Sequence, residues 1–275
     1  MRVEQLGEGE PELAIVGSIH GDEPCGARAI ERLLVEAPDV NRPVKLIVAN
    51  EEALERNVRY LEADLNRAFP GAADADTHEE RLAHALLAEL RGCTILSMHS
   101  TQSYDAPFAL TDGVDALAEA VVPHLSVDAL VETGEFAEGR LIDFVDVIEV
   151  ECGFQGSDRA AENAYTLCRE FLAATGALDD PAPKRTDIPV YRLERQLPKP
   201  VDVTEYETFV ANFERVAEGA TYARAGNETF VADRPFYPIL LSAYGYENVF
   251  GYAGSLVGRL DEPVEAGPEP TPERG

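Results

Sequence analysis

Between Leu13 and about Ala174, short apolar runs alternate with stretches whose apolar residues recur at helical spacing, and this alternation constrains the fold more than any other feature of the chain. Leu13 to Ile19, Val44 to Ala49 and Thr94 to Met98 are mostly apolar, as strands covered on both faces must be, and Val145 to Val150 reads as a further strand. The intervening stretches predict helices. One carries Ile30, Leu33, Leu34 and Ala37; a short one runs from Ala53 to Arg56; Glu79 to Arg91 places Leu82, Leu86, Leu87 and Leu90 on one face; the others are Ala116 to Val122 and Asp158 to about Ala174. Strands separated by helices predict an α/β class, with a mostly parallel or mixed central sheet flanked by helices.

The pattern changes after Asp179-Asp180-Pro181-Ala182-Pro183, a boundary signal. Beyond it come short β-type segments: Val190 to Leu193, Thr208 to Val210, and Thr221 to Ala223 turning through Ala225-Gly226-Asn227 into Thr229 to Val231. The expected division is residues 1–178 as the main domain, 186–260 as a smaller β-rich C-terminal domain, and 261–275, rich in proline, glutamate and glycine, as a disordered tail.

Charge excludes several functions. The chain of 275 residues has 23 basic against 51 acidic side chains, a net −28, which opposes both nucleic acid and anionic membranes as partners. Only Lys45, Lys184 and Lys199 are lysines, and an acid excess with so few of them is the habit of halophilic proteins in a salt-rich cytoplasm. Cys25, Cys93, Cys152 and Cys168 form no C-x-x-C pair, which suits a reducing compartment. No leader pattern or long apolar span points to secretion or membrane embedding, so a cytoplasmic protein is expected.

His20-Gly21-Asp22-Glu23 follows the first apolar run and precedes a helix, so two metal-ligating side chains three residues apart can converge at a strand-to-helix turn. A hydrolytic zinc site built from two His and one Glu keeps its fourth position open for water. The second imidazole is expected from His99, which ends another apolar run before Ser100-Thr101-Gln102-Ser103. In open α/β sheets, ligands collect beyond the carboxyl ends of strands. The alternative at this point is a plain helix start with an acidic first turn. His78, His84 and His124 are expected to be structural or surface groups. Arg59 to Gly71, a loop with arginines and Asn66, suits an anionic ligand, since guanidinium groups grip carboxylates in a bidentate fork; pairing with neighbouring acids is the alternative.

Taken together, these motifs resemble the succinylglutamate desuccinylase/aspartoacylase family of carboxypeptidase-like zinc hydrolases. They run in order as His20-Gly21-Asp22-Glu23, Arg59-Tyr60 with Asp64-Leu65-Asn66-Arg67, His99-Ser100-Thr101, and Glu151-Cys152-Gly153. The resemblance covers about the first 160 residues and only loosely the rest. It implies one Zn2+ per chain on His20, Glu23 and His99. Glu151 would be the catalytic acid/base, and Arg59 would polarise the scissile carbonyl. Asn66, Arg67 and Arg140 would bind a substrate carboxylate, Arg140 only with a one-residue gap in the alignment. A C-terminal tyrosine, Tyr244 or Tyr246, would reach the site.

Three positions depart from the family pattern. Ser97 stands where many members carry an aspartate, Phe136 where aspartoacylases have a substrate-contacting tyrosine, and Glu149 is a rival base on the same strand face as Glu151. The function implied is zinc-dependent deacylation of a small anionic N-acyl amino acid or related amine. A metallocarboxypeptidase and a non-catalytic zinc-binding protein are the alternatives, and a homo-oligomer is left open.

Overall fold

The computed structural model describes residues 1–260, so the 261–275 tail lies outside the described residues. The strands are β1 (Arg2–Leu6), β2 (Leu13–Gly17), β3 (Val44–Val48), β4 (Thr94–Thr101), β5 (Phe108–Thr111), β6 (Leu130–Glu132), β7 (Val147–Phe154), β8 (Pro189–Pro198), β9 (Tyr206–Thr208), β10 (Thr221–Ala225), β11 (Glu228–Val231), β12 (Tyr237–Ile239) and β13 (Val249–Arg259). The α-helices are α1 (Cys25–Glu36), α2 (Glu51–Arg56), α3 (His78–Leu90), α4 (Ala116–Val121) and α5 (Asp158–Ala174).

Ten strands form one sheet in the order β1-β3-β2-β4-β7-β5-β6-β8-β13-β12. Its centre is parallel: β2 pairs in parallel with both β3 and β4, and β4 with β7. The sheet as a whole is mixed, because β1, β5, β12 and β13 pair antiparallel with neighbours. Alternating side chains of β2 feed two apolar cores. Leu13 and Ile15 pack with Ile30 and Leu33 of α1 and Leu167 and Phe171 of α5, whereas Ala14 and Val16 pack with Leu82, Leu86 and Leu90 of α3. A strand buried on both faces has no polar side to mark its register, which is why these runs are continuous.

The helix starts are chemically fixed. Thr77 and Glu80 form a reciprocal capping box at α3, and Ser157 accepts from Ala160 N–H at the start of α5. The C-terminal segment is β-rich. It extends the main sheet, since β8 pairs in parallel with β6 and carries β13 and β12 beyond it. It also builds a second sheet, β11-β10-β9, over its own core of Tyr222, Phe236 and Phe250. Among the described residues no helix is long and apolar enough to cross a membrane.

Candidate active site

One cavity lies at the ends of β2, β4 and β7, walled on the far side by the C-terminal segment around Leu240 to Tyr246. His20 and Glu23 project from the turn between β2 and α1. That turn is tight: a Cβ on Gly21 would lie 2.2 Å from the backbone of Ala53, so only glycine lets it pack against α2. Ser18, two residues before His20, is held at φ 55°, a left-handed conformation uncommon for a side-chain-bearing residue and frequent at functional turns. His99 lies inside β4, adjacent in register to Glu151 on β7, so both face the same cavity.

Glu23 is the hub of the buried cluster. Its Oε1 lies 2.8 Å from His20 Nδ1 and its Oε2 3.2 Å from His99 Nδ1. Ser100 N–H donates to Oε2 at 3.1 Å and Arg59 Nη1 to Oε1 at 3.3 Å. Burial opposes ionisation of Glu23, but the two imidazoles outweigh it and hold the carboxyl far below its usual range. Burial likewise opposes charge on His20, yet Glu23 on one side and Asp64 on the other raise its pKa.

These three residues offer ligand atoms within 4.8 Å of one another. Donors about 2 Å from a common ion lie roughly 3.3 Å apart, so small rotamer adjustments would gather two imidazole nitrogens and a carboxylate oxygen around a divalent cation. His20 Nε2 is already committed to Asp64 Oδ1 at 3.0 Å, the outer contact that fixes the tautomer of a metal-binding imidazole.

Glu151 brings a second carboxylate to the cavity, and its Oε2 is buried without a hydrogen-bond partner. Its pKa is driven well above the carboxylate range, first by burial and then by the charges of Glu23 and Glu149. Gly153 beyond it sits at φ 124°, where a Cβ would lie 2.8 Å from Asp105 O, so the glycine of Glu-x-Gly is a requirement of the strand's path.

Cationic side chains line the same cavity. Asp64 anchors Arg59 through Nε at 3.2 Å and Nη2 at 3.0 Å. Arg67 and Arg140 are drawn together in the same cavity, and neither forms an ion pair among the described residues. Burial and the neighbouring Arg140 lower the pKa of Arg67, outweighing the opposing pull of Asp64. Arg140 donates to Tyr252 Oη at 2.8 Å, and its Nε is buried without a partner. Asn66 Oδ1 accepts from Leu141 N–H at 3.0 Å, tying the two arginine-bearing segments together.

The N-terminal part of the chain matches a known pattern: residues 9–112 fit the model of the succinylglutamate desuccinylase/aspartoacylase catalytic domain. Rat aspartoacylase is 29% identical over 107 residues, an alignment covering 36% of this chain and 33% of the relative. The matched region spans about a third of the length of the curated relatives.

The fold likeness extends further. The ectoine utilization protein EutE (DoeB) of Ruegeria pomeroyi superposes with a TM-score of 0.75 at 20% identity, covering 92% of this chain and 88% of that one. Murine aminoacylase 3 gives a TM-score of 0.68 at 18% identity, covering 90% and 96%. At these identities the likeness is one of fold.

Within this cavity the structure gathers His20, Glu23, Arg59, Asn66, Arg67, His99, Arg140, Glu151, Tyr244 and Tyr246. The two tyrosines differ. Tyr244 is 60% exposed at the rim, while the Tyr246 phenol lies among Arg140, Arg67 and Glu151, and burial pushes its pKa up. Phe136 does not line the cavity; it packs edge-on against Tyr252, 5.5 Å between centroids.

Other contributors lack a sequence signal. Glu79 on α3 is fully buried and accepts from Leu61, Glu62 and Ala63 N–H and from Asn50 Nδ2, pinning the loop that carries Arg59 and Arg67. Lys199 donates to Ala243 O at 3.2 Å and to Tyr246 O, fixing the loop of Tyr244 and Tyr246. Tyr252 lies on a glycine-punctuated strand that the sequence does not announce. Asp64 stands in a quoted motif, but its double contact with His20 and Arg59 needs the folded loop.

Proposed function

We propose that this protein is a zinc-dependent amidohydrolase that cleaves the amide of a small N-acyl amino acid or a related acylated amine. The observation that carries the reading is the convergence on one cavity of two unlike groups: a buried His-Glu-His cluster with the unpartnered Glu151 carboxylate, and Arg67 and Arg140, neither of them in an ion pair among the described residues.

His20, Glu23 and His99 would hold one zinc ion, which when bound lowers the pKa of water and polarises a carbonyl. Glu151 would accept a proton from the attacking water and return it to the departing amine, its buried Oε2 being free of any hydrogen bond within the fold. Arg59, kept in orientation by Asp64, donates hydrogen bonds to the carbonyl oxygen as negative charge develops. Arg67, Arg140 and Asn66 grip the substrate carboxylate, and Tyr246 covers it.

The wall formed by Leu240 to Tyr246, with Lys199 fastening it, supports small substrates over peptides. Four free, buried cysteines are compatible with a reducing cytoplasm as its setting. The deciding experiment assays N-acetyl, N-succinyl and N-formyl amino acids and short peptides with zinc-loaded and chelator-stripped protein. Zinc-restored release of amine from at least one acyl amino acid is expected. Cleavage of peptides alone would transfer the reading to a carboxypeptidase, and zinc binding with no turnover on any substrate would leave a metal-binding protein.

A further inference from the structure

His20 and His99 both turn Nδ1 toward Glu23, so a neutral ring that offers Nδ1 to a cation must carry its proton on Nε2. For His20 the acceptor of that proton is Asp64 Oδ1, at 3.0 Å. Around His99 Nε2 there are two oxygens: Ser97 Oγ at 3.4 Å and Glu149 Oε1 at 3.9 Å. Ser97 and Glu149 are register partners on β4 and β7, one step before the register pair His99 and Glu151 on the same face of the sheet. Glu149 is 3% exposed, and the oxygen nearest His99 is buried with no hydrogen-bond partner. A buried carboxylate oxygen so close to an N–H whose direction is set by the tautomer is short of one contact, and a small side-chain rotation supplies it.

We propose that Glu149 is the positioning residue of His99, its carboxylate accepting the Nε2 proton and holding the ring with Nδ1 directed at the cation site. The inference rests on reading the cluster as a metal centre, and it separates the two carboxylates of β7. Glu149 addresses the far nitrogen of His99, whereas Glu151, the register partner of His99, makes no contact with that nitrogen and leaves Oε2 unpartnered. The two imidazoles then share one design, a carboxylate behind each, drawn from a loop for His20 and from the neighbouring strand for His99. Glu149 also lies within electrostatic reach of Arg140, so the same carboxylate bears on the cationic wall.

The test is zinc affinity, measured by competition with a chromophoric chelator, together with the visible absorption of the cobalt(II)-substituted protein. Glu149→Gln should weaken zinc binding by about 10–100-fold and alter the cobalt spectrum, while Ser97→Ala should change affinity less than about threefold. The double variant Ser97→Asp/Glu149→Gln returns a carboxylate to the same ring nitrogen from β4, and should recover affinity to within about fivefold of the natural protein. This rescue decides the matter even if Glu149→Gln alone is poorly folded. Zinc affinity unchanged in Glu149→Gln, or a larger loss in Ser97→Ala than in Glu149→Gln, would overturn the positioning role while leaving the metal centre intact. A natural protein that binds no zinc would overturn the metal centre itself.

Discussion

The two walls of the cavity are built by opposite strategies. The His20, Glu23, His99 and Glu151 wall stands on strand ends and strand interiors of the parallel core; Glu23 bonds both imidazoles directly, and its charge bears on Glu151. The arginine wall stands on loops and on the C-terminal strands. It is assembled by remote braces: Asp64 under Arg59, Glu79 under the loop backbone, Tyr252 beside Arg140, and Lys199 under the Tyr246 loop. Under the proposed function, chemistry that tolerates little displacement would stand on the rigid sheet, and recognition on segments that can vary without disturbing it.

The comparison can be broken most directly at Glu151. Glu151→Gln should lower kcat by at least ~100-fold while zinc content stays at one ion per chain, because proton transfer is lost and no ligand is. An inactive Glu149→Gln that retains full zinc affinity, next to an active Glu151→Gln, would exchange the roles of the two carboxylates. On the other wall, Arg67→Met or Arg140→Met should raise KM and lower kcat/KM by roughly 10–100-fold, the scale of charge-assisted hydrogen bonds worth about 1.5–3 kcal/mol each. A kcat collapse with unchanged KM would mean that these arginines serve the reaction and not the carboxylate.

Stability sharpens the same contrast. In metal-free protein, Glu151 keeps its proton in the fold above the pH at which the unfolded chain releases it, because burial and the charges of Glu23 and Glu149 raise its pKa. Stability therefore falls as pH rises from the ordinary carboxylate value toward the raised one. Glu151→Gln removes that fall. Its Tm should exceed that of the natural protein at neutral pH, by about 2–4 °C for each kcal/mol recovered, and the two should converge near pH 4. Equal pH slopes for both proteins would show that Glu151 titrates normally.

The smallest effect expected is that of salt. With a net charge of −28, raising potassium chloride from low to molar should raise Tm by a few degrees through screening. The increment should be the same for the natural protein and Glu151→Gln, since burial is insensitive to ionic strength. A difference that vanished in salt would assign the Glu151 shift to long-range charge.

The sequence alone determined the layers of the fold, because fully buried strands and amphipathic helices have different apolar periods. Val44–Val48, His78–Leu90 and Asp158–Ala174 lie within one or two residues of where that periodicity puts them. It also singled out His20 and Glu23, because ligand types at a strand-to-helix turn are a local pattern, whereas the close approaches that require Gly21 and Gly153 are to the sequence-distant Ala53 and Asp105. It did not announce β5 and β6, which are three or four residues long, or β13, whose Gly251, Gly254 and Gly258 read as breakers until β8 is beside them.

Only the tertiary structure decided that Tyr246 and not Tyr244 sits among the arginines, that Phe136 packs against Tyr252, and that Glu149 comes within 3.9 Å of His99 Nε2 from the neighbouring strand. The physical reason is sequence distance. Glu79 reaches a loop 16 to 18 residues earlier, and Arg140 finds its tyrosine 112 residues later. A side-chain contact across such separations leaves no periodicity in the chain, because it is set by how the sheet's strands are ordered.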